Sequence, residues 1–421
     1  MKVAIILFAL TYVLMLAFQK YRPVIAVTSA VLFILSGILP TDKVLSYIDW
    51  NVLMMIAGTM GTVSLVIKSG LPSLIADHII RKVSSVRMAI VTIALFAGIV
   101  SAFIDNVATV LMIAPIALSI AKKLNISPVG MVIAIAVSSN LQGAATLVGD
   151  TTSMLLGSYA GMNFADFFVY QGKPGIFFAV QMGAIISAII LLWVFRKETA
   201  PVTTDELTKV DDFVPGVLLA GNIGLLILAS LLPNTPATAN GIICVVVCVV
   251  GAIYHAVRNK QLRALWEPIA EVDFATVVLL AGLFLVIGGI TEAGVVSSVA
   301  EIFTTISSGN LFVIYTIIVW MSVVLSAFID NIPYVATMLP VVQQIAVTMG
   351  IDPTLLYFGL LSGATLGGNL TPIGASANIT GIGILRKEGW EVKNTDFLKI
   401  GVPFTLSAVI PAYIYFWLLY A

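Results

Sequence analysis

Two aspartate–asparagine pairs stand in otherwise apolar sequence and share the same neighbours. Residues 101–106 read Ser-Ala-Phe-Ile-Asp-Asn, and the same six letters recur at 326–331, an offset of 225 (326 minus 101). A carboxylate at membrane depth costs at least about 2.5 kcal/mol, so it needs a compensating role. A single Asp could simply mark a hairpin tip that reaches water, but two identical pairs at equivalent places favour a functional site.

Each pair lies between two apolar segments, which predicts the tip of a helical hairpin. Asn106 and Asn331 are placed to cap the returning helices, Pro333 suits a first helical turn, and Thr109 lies one turn further on. Helix carbonyls and a carboxylate suit Na⁺ or a proton, whereas N-terminal amides suit an anion or a polar neutral solute. We therefore expect ion sites at both tips, with these candidate residues: Ser101, Asp105, Asn106, Thr109, Ser326, Asp330 and Asn331.

Two further segments, 140–153 and 363–378, are too polar and too rich in glycine for a plain membrane helix. Unpaired backbone is tolerated at this depth only in a protein-lined or watery cavity. A close helix crossing would explain the glycines but not the clustered Asn, Asp and Thr. These segments add the following candidate binding residues: Asn140, Thr146, Gly149, Asp150, Thr151, Thr152, Asn369, Thr371, Gly374, Ser376 and Asn378.

The composition requires that a lipid membrane surrounds these motifs. Of the 421 residues, 60% are hydrophobic and only 10% are charged, with a net charge of zero, whereas soluble domains carry about 25% charged residues. Because Lys and Arg do not outnumber Asp and Glu, the composition excludes a nucleic-acid binder. The sequence also contains no phosphate-binding loop of the Walker A type. Cys244 and Cys248 are interpreted as packing residues, and Asp49 and Asp273 as partners of helix N-termini.

Ten full spans and two hairpins account for the apolar pattern. The spans are 3–18, 23–40, 50–67, 128–149 (continuing to about 160), 174–195, 214–232, 238–257, 274–293, 353–373 (continuing to about 385) and 403–420, and the hairpins are 88–123 and 311–348. With both termini outside, eighteen of the 21 Lys and Arg residues lie in the cytoplasm, the exceptions being Lys2, Lys43 and Lys173. The loop 233–236 is uncharged, as an outer loop should be, and no Lys or Arg is expected near the motifs at membrane depth. A bacterial or archaeal inner membrane is the expected location.

The repeated motifs divide the chain into two halves. Residues 1–195 form the first repeat, 196–213 a cytoplasmic linker, and 214–421 the second repeat. Each repeat has five spans, so the two should be inverted relative to each other, as in many secondary transporters. The predicted fold class is an all-α polytopic membrane protein with one re-entrant hairpin and one interrupted helix per repeat.

At these motifs the chain resembles the ion transporter superfamily, and within it the ArsB/NhaD permeases, which include arsenite pumps, NhaD-type antiporters, the melanosomal P protein and citrate transporter-like domains. The resemblance rests on the two tip motifs and on 366–378, Leu-Gly-Gly-Asn-Leu-Thr-Pro-Ile-Gly-Ala-Ser-Ala-Asn. The first interrupted helix reads Gly-Asp-Thr-Thr-Ser at 149–153, nearer to NhaD-type antiporters than the Gly-Asp-Pro-Pro-Asn of P-protein-like permeases. The resemblance implies an elevator mechanism, with spans 3–40 and 214–257 in a scaffold that is often dimeric.

Secondary active transport is the predicted function, coupled to Na⁺ or H⁺ and needing no other cofactor. The solute is arsenite, antimonite or another small inorganic or organic anion, with Na⁺/H⁺ antiport and citrate or dicarboxylate transport as alternatives. The sequence is also compatible with a separate cytoplasmic ATPase as a partner. An intramembrane aspartyl protease, for which 148–150 (Val-Gly-Asp) is a loose match, is disfavoured by the missing Tyr-Asp partner and the duplicated tips. A passive channel is disfavoured because it would not need two symmetric, interrupted helices. The chain is therefore not expected to be an enzyme.

Overall fold

The computed structural model describes residues 1–124, 126–202, 208–233 and 235–421. Residues 203–207 of the predicted linker and residue 234 of the uncharged loop lie outside this part of the chain. The first half contains the α-helices Lys2–Ala17 (α1), Arg22–Leu35 (α2), Val44–Tyr47 (α3), Trp50–Ser69 (α4), Leu71–Ile80 (α5), Val86–Ser101 (α6), Asn106–Leu124 (α7), Val129–Gly143 (α8), Thr151–Tyr159 (α9) and Ile176–Val194 (α10).

The second half has the same order of long and short helices. They are Val214–Leu231 (α11), Ala239–Asn259 (α12), Glu267–Ala270 (α13), Phe274–Glu292 (α14), Val295–Ile306 (α15), Leu311–Ser326 (α16), Asn331–Met349 (α17), Thr354–Gly367 (α18), Ser376–Lys387 (α19) and Asn394–Tyr420 (α20). Short 3₁₀ turns are Gln19–Tyr21, Thr41–Lys43, Ala165–Phe167, Leu262–Leu265 and Gly368–Leu370, and a two-residue antiparallel pair joins Val169–Tyr170 (β1) to Lys173–Pro174 (β2).

The described helices confirm an all-helical polytopic membrane protein. Eight are long and apolar enough to cross a bilayer, namely α4, α7, α10, α11, α12, α14, α17 and α20. Two bent pairs pass the same test only together: α1 with 19–35, bent by 120°, and α15 with α16, bent by 118°. Counting each bent pair as one span gives up to ten.

The first helix pair differs from the two full spans predicted at 3–18 and 23–40. The chain bends at Phe18, and Pro23 lies in the first turn of α2, where its ring favours a helix start. α2 ends at Leu35, and Gly37 follows with a φ of 70°, a left-handed conformation that favours glycine. α2 is therefore short, and Arg22 lies at the bend.

The two predicted hairpins and interrupted spans are present as pairs of helices. The hairpins are α6 with α7 and α16 with α17, and they turn at 102–105 and 327–330. α8 and α18 stop within the membrane-length segments, and α9 and α19 continue after non-helical stretches at 144–150 and 371–375. The breaks follow the polar, glycine-rich sequence at both places.

Packing interlocks the halves of the chain. α4 packs along α12 and α2 along α14, so each half supplies one helix to each pair, and α10 packs along α20. Within the halves, α6 packs on α8 and α16 on α18. This arrangement brings each hairpin against the interrupted helix of its own half, so that both tips lie beside a helix break.

Ion pairs join connectors that the charge-based threading places on the same side. Lys43 donates to Glu292 at 2.8 Å. On the side assigned to the cytoplasm, Lys68 and His255 both contact Glu267 at 3.1 Å. These two hydrogen bonds lower the pKa of Glu267, with the His255 contact as the larger cause. On each side, an ion pair therefore joins a residue of the first half to a residue of the second half.

Candidate functional site

A cavity of about 230 Å³ lies between the two hairpin tips and helix α4. Its lining includes Glu271 and Asp273, which are both exposed, and Asp105 and Asn331 at the two tips. The cavity is therefore open at the connector before α14 and reaches inward to both tips. Six of the predicted site residues line it: Asp105, Asn106, Asp150, Thr151, Asn331 and Ser376.

The first tip is held by hydrogen bonds from its own backbone. Asp105 Oδ1 accepts from the amides of Val107 at 3.0 Å and Ala108 at 3.2 Å. The aspartate therefore caps the returning helix, and the prediction that Asn106 is the cap is wrong by one residue. The same correction holds at the second tip, where Asp330 caps α17 by accepting from the amide of Ile332 at 3.2 Å. Both carboxylates are thus fixed in direction by the helix start.

Asn140 connects the first tip to both interrupted helices. Its side-chain oxygen accepts from Asn106 Nδ2 at 3.0 Å. Its own amide nitrogen donates to the carbonyl of Thr365 at 2.7 Å and to Asn369 Oδ1 at 3.1 Å. Asn369 in turn donates to the carbonyl of Val137 at 2.9 Å. This buried network crosses between the halves and fixes how the helix breaks meet.

Asp150 is the most enclosed carboxylate of the cavity. It is only 3% exposed and precedes α9. Thr152 Oγ1 donates to it at 2.7 Å and lies 2.9 Å from Thr365 Oγ1. Among the described residues neither Asp150 nor Asp105 has an ion-pair partner, so two carboxylates face the cavity without a protein cation. Oxygen ligands of this kind suit Na⁺ or a proton.

The second tip has a protein cation that the sequence does not predict. Arg22 Nη1 lies 3.0 Å from Asp330 Oδ2, which also accepts from the Ser376 hydroxyl at 3.0 Å. The expectation that no Lys or Arg lies near the motifs is therefore wrong. The bend between α1 and α2 brings Arg22 to the tip, although its short polar loop looks interfacial in the sequence. Asp330 faces this arginine and is not among the residues that line the cavity between the tips.

A backbone framework repeats in both halves at the offset of 225. The hydroxyls of Thr146 and Thr371 donate to the carbonyls of Ala102 and Ala327, respectively. A methyl group added at Gly149 would lie 2.6–2.8 Å from three backbone oxygens, and the distances at Gly374 are 2.6–2.9 Å. Because backbone oxygens cannot move aside, both positions require glycine. These bonds hold each tip against the break of its own interrupted helix.

Asn331 presents an unused hydrogen-bond donor. Its side chain is 3% exposed, and its amide nitrogen has no partner among the described residues although it lines the cavity. A buried polar group without a partner costs about 1–3 kcal/mol. A solute with an acceptor oxygen would satisfy this donor. The cavity therefore combines two carboxylates near the first tip with a donor from the second.

The remaining predicted site residues form the framework behind the cavity. Ser101 accepts from Ser139 at 3.0 Å, Ser326 donates to the carbonyl of Ala364 at 2.5 Å, and Thr109 donates weakly to its own turn at 3.4 Å. Asn378 donates to the carbonyls of Gly368 and Thr371, both at 3.1 Å. The full set outside the lining is Ser101, Thr109, Asn140, Thr146, Gly149, Thr152, Ser326, Asp330, Asn369, Thr371, Gly374 and Asn378.

Five polar lining residues were not predicted as site residues. They are Thr59, Ser64, Glu271, Asp273 and Thr276. Asp273 does cap α14, accepting from the amide of Thr276 at 3.2 Å, as its position at the start of a span indicated. Thr59 and Ser64 could have been found as two hydroxyl residues within the charge-free stretch 50–67. In the structure their hydroxyls donate to the carbonyls of Met55 and Gly61, respectively.

The sequence is similar to those of several membrane proteins, among them a transporter. The chain is 30% identical to the uncharacterized transporter Rv2684 of Mycobacterium tuberculosis over 99% of this chain and 98% of that protein. It is 29% identical to the 46 kDa membrane protein of Mycobacterium leprae with the same coverage, and 24% identical to the human P protein over 86% of this chain and 52% of that protein.

The fold also matches a solved structure. The crystal structure of the YdaH transporter of Alcanivorax borkumensis superposes with a TM-score of 0.61 at 14% identity, covering 89% of this chain and 86% of that chain. The resemblance to the ion transporter superfamily is thereby confirmed, and the family is one of transporters rather than enzymes. The model of the CitMHS citrate transporter family matches residues 12–363, and the chain therefore belongs to that family.

Proposed function

We propose that this protein is a cation-coupled secondary transporter of a small, oxygen-bearing solute. The observation that carries the proposal is the cavity in which Asp105 and Asp150 lie with the unpartnered amide of Asn331. The carboxylates are placed to bind Na⁺ or a proton, and the amide is placed to bind an acceptor oxygen of the solute. Binding of both would satisfy groups that are otherwise costly at membrane depth.

The solute class follows from the lining. Asn331, Ser376 and Thr151 offer an amide and two hydroxyls, which suit the hydroxyls of arsenite or antimonite or the oxygens of a small carboxylate. Citrate is the substrate in the family's name, and a bound coupling cation would offset its repulsion from the two aspartates. We accordingly propose a small inorganic or organic anion or its neutral acid.

Na⁺/H⁺ antiport is the second candidate. None of the described residues that line the cavity is Lys or Arg, while four lining residues are carboxylic acids: Asp105, Asp150, Glu271 and Asp273. Such a lining favours cations. If the protein exchanges Na⁺ for H⁺, a pH gradient will drive Na⁺ flux in vesicles that contain no other solute.

The proposed mechanism is an elevator built from two inverted repeats. The cavity opens at Glu271 and Asp273, in a connector that the positive-inside pattern assigns to the cytoplasm. We therefore propose an inward-facing state in a bacterial or archaeal plasma membrane, with both termini outside and scaffold helices that associate as a homodimer. Motion of the hairpins relative to α4 would expose the same cavity to the other side.

Transport by purified protein in liposomes tests this function. A pH or Na⁺ gradient is imposed, and arsenite, Na⁺, Li⁺ and citrate are tested in turn. We expect gradient-driven accumulation of one of these by the wild type and by Asp42→Asn, a matched control at an exposed position far from the site. Asp150→Asn keeps an acceptor for Thr152 but loses the charge, and its accumulation should vanish. Equal accumulation by Asp150→Asn, or flux that ignores the gradients, would contradict the proposal.

A further inference from the structure

We propose that Arg22 occupies the place of a coupling cation at the second tip, so that transport is coupled through one cation site, formed by Asp105 and Asp150. This inference rests on the proposed function and specifies its stoichiometry. Arg22 is then a positioning residue that acts through Asp330. The prediction of two ion sites, one at each tip, is replaced by one exchangeable site and one permanent internal ion pair.

Both carboxylate oxygens of Asp330 have partners from the protein. Oδ2 is shared by Arg22 Nη1 and the Ser376 hydroxyl, both at 3.0 Å, and Oδ1 accepts from the amide of Ile332 at 3.2 Å. The arginine is anchored in turn, since its Nε donates to the carbonyl of Met15 at 3.3 Å. The side chains are 13% and 7% exposed, so the pair is largely withdrawn from water.

The first tip has the opposite charge balance. Asp105 has backbone amide partners but no ion-pair partner among the described residues, and it lines the open cavity. Asp150 adds a second carboxylate, whereas the equivalent residue of the second half, 225 positions later, is Ala375. The first tip thus has two carboxyl groups with no ion-pair partner among the described residues, and the second has one carboxyl group paired with a guanidinium.

This difference decides where an exchangeable cation binds. An uncompensated carboxylate at membrane depth gains from any cation that reaches it, whereas a carboxylate already paired with a guanidinium gains little. Arginine stays charged at all physiological pH values, so the guanidinium remains a cation beside Asp330. The identical Asp-Asn motifs therefore bind different partners: one a mobile ion, the other a tethered cation.

Space beside the ion pair makes the proposal testable. A cavity of about 10 Å³ adjoins the pair, lined by Tyr12, Met15, Leu16, Ile329 and Pro333 in addition to the pair itself. That is close to the minimum for one water molecule. Replacing the guanidinium with a shorter neutral side chain enlarges this space and exposes Asp330 Oδ2, which creates a second cation site.

The test counts the cations bound by the wild type and three variants. Wild type, Arg22→Lys, Arg22→Gln and the Arg22→Gln/Asp330→Asn double variant are purified, and thermal unfolding is followed while Na⁺ replaces choline at constant ionic strength, or while pH is varied. Stabilisation by a bound cation rises with its concentration according to the number of sites. We expect one cation for the wild type, for Arg22→Lys, which keeps the charge, and for the double variant. We expect two bound cations for Arg22→Gln. The transport rate of this variant should depend on the second power of the cation concentration, whereas that of the wild type depends on the first power.

A purely structural ion pair would lower the melting temperature of every Arg22 variant and leave the cation number at one. That result for a folded, monodisperse Arg22→Gln protein, or two cations for the wild type, would overturn the inference. Absence of gradient-driven transport by the wild type would instead contradict the proposed function, while the unfolding experiment would still count the cation sites.

Discussion

The two hairpin tips have one backbone framework and two different chemical surroundings. Thr146 and Thr371 fix the tips in the same way, and Gly149 and Gly374 lie equally close to the carbonyls of those tips. The polar neighbours differ, because Asp105 lines an open cavity while Asp330 is paired with Arg22. The repeated motif thus has a carboxylate at the same place in each half, and the residues around the two carboxylates differ.

The largest effect is expected at the first tip. Asp105→Asn keeps the oxygen that caps Val107 and Ala108 but removes the negative charge. If a charged partner of the coupling cation contributes about 3 kcal/mol, gradient-driven transport should fall by about 100-fold. The measurement is initial uptake in proteoliposomes, with the melting temperature as a control for folding. Wild-type uptake and coupling would remove Asp105 from the ion site.

Asp330→Asn should act on stability instead. It leaves the guanidinium of Arg22 without its counter-ion in a largely buried place, which costs about 3–5 kcal/mol when one partner of a buried pair is removed. Chemical unfolding in detergent measures the loss. Adding Arg22→Gln to this variant should restore part of the stability, because the uncompensated charge is then gone. If the double variant is less stable than Asp330→Asn, the two side chains are not a compensated pair.

The shared framework predicts equal effects in the two halves. Gly149→Ala and Gly374→Ala would each place a methyl group against three backbone oxygens, and overpacking of this kind costs about 1–3 kcal/mol. Gly383→Ala is the matched control, because it lies in α19 with nothing within 4 Å of an added methyl group. Thermal unfolding should show similar losses for the first two variants and none for the control. A loss confined to one half would mean that the framework is not shared.

Asn331 offers the smallest and most specific change. Asn331→Ala removes a buried donor that has no partner among the described residues, so the free energy of unfolding should not fall. The lost bond to the solute should raise KM by about 3- to 10-fold, equivalent to about 0.5–1.5 kcal/mol. Asn106→Ala is the comparison, since it breaks the bond to Asn140 and should lower stability as well. An unchanged KM in Asn331→Ala would remove this amide from the solute site.

The sequence predicted the positions of the hairpins and helix breaks well because local signals encode them. Apolar runs set the helix lengths, and the glycine-rich polar segments 140–153 and 363–378 end α8 and α18 where no helix could continue. The repeated six-residue motif identified both tips. The same signals led to Asp105 and Asp150, which do line one cavity.

The parts that sequence reasoning missed depend on tertiary contacts. Arg22 follows Lys20 in a short polar loop, which has the charge pattern of a membrane surface. Only the 120° bend between the first two helices brings its guanidinium to a tip that is 308 residues away in sequence. Likewise, Glu271 and Asp273 line the cavity because α14 packs beside α4. The depth of a side chain in the membrane and its interaction partner depend on how the helices pack, so no local sequence pattern predicts them.

Both hairpin tips line one cavity, and we propose that this cavity opens to one side of the membrane at a time. Val107 and Ile332 follow the two tips and line the same cavity. Single-cysteine variants Val107→Cys and Ile332→Cys, in a Cys244→Ser/Cys248→Ser background expected to transport within about twofold of wild type, are labelled with a membrane-impermeant thiol reagent from each side. We expect both positions to react from the same side, the cytoplasmic one in this inward-facing state, and to change sides together when the cation and solute gradients are reversed. Labelling of each position only from the side on which its own hairpin begins, whatever the gradients, would contradict this proposal.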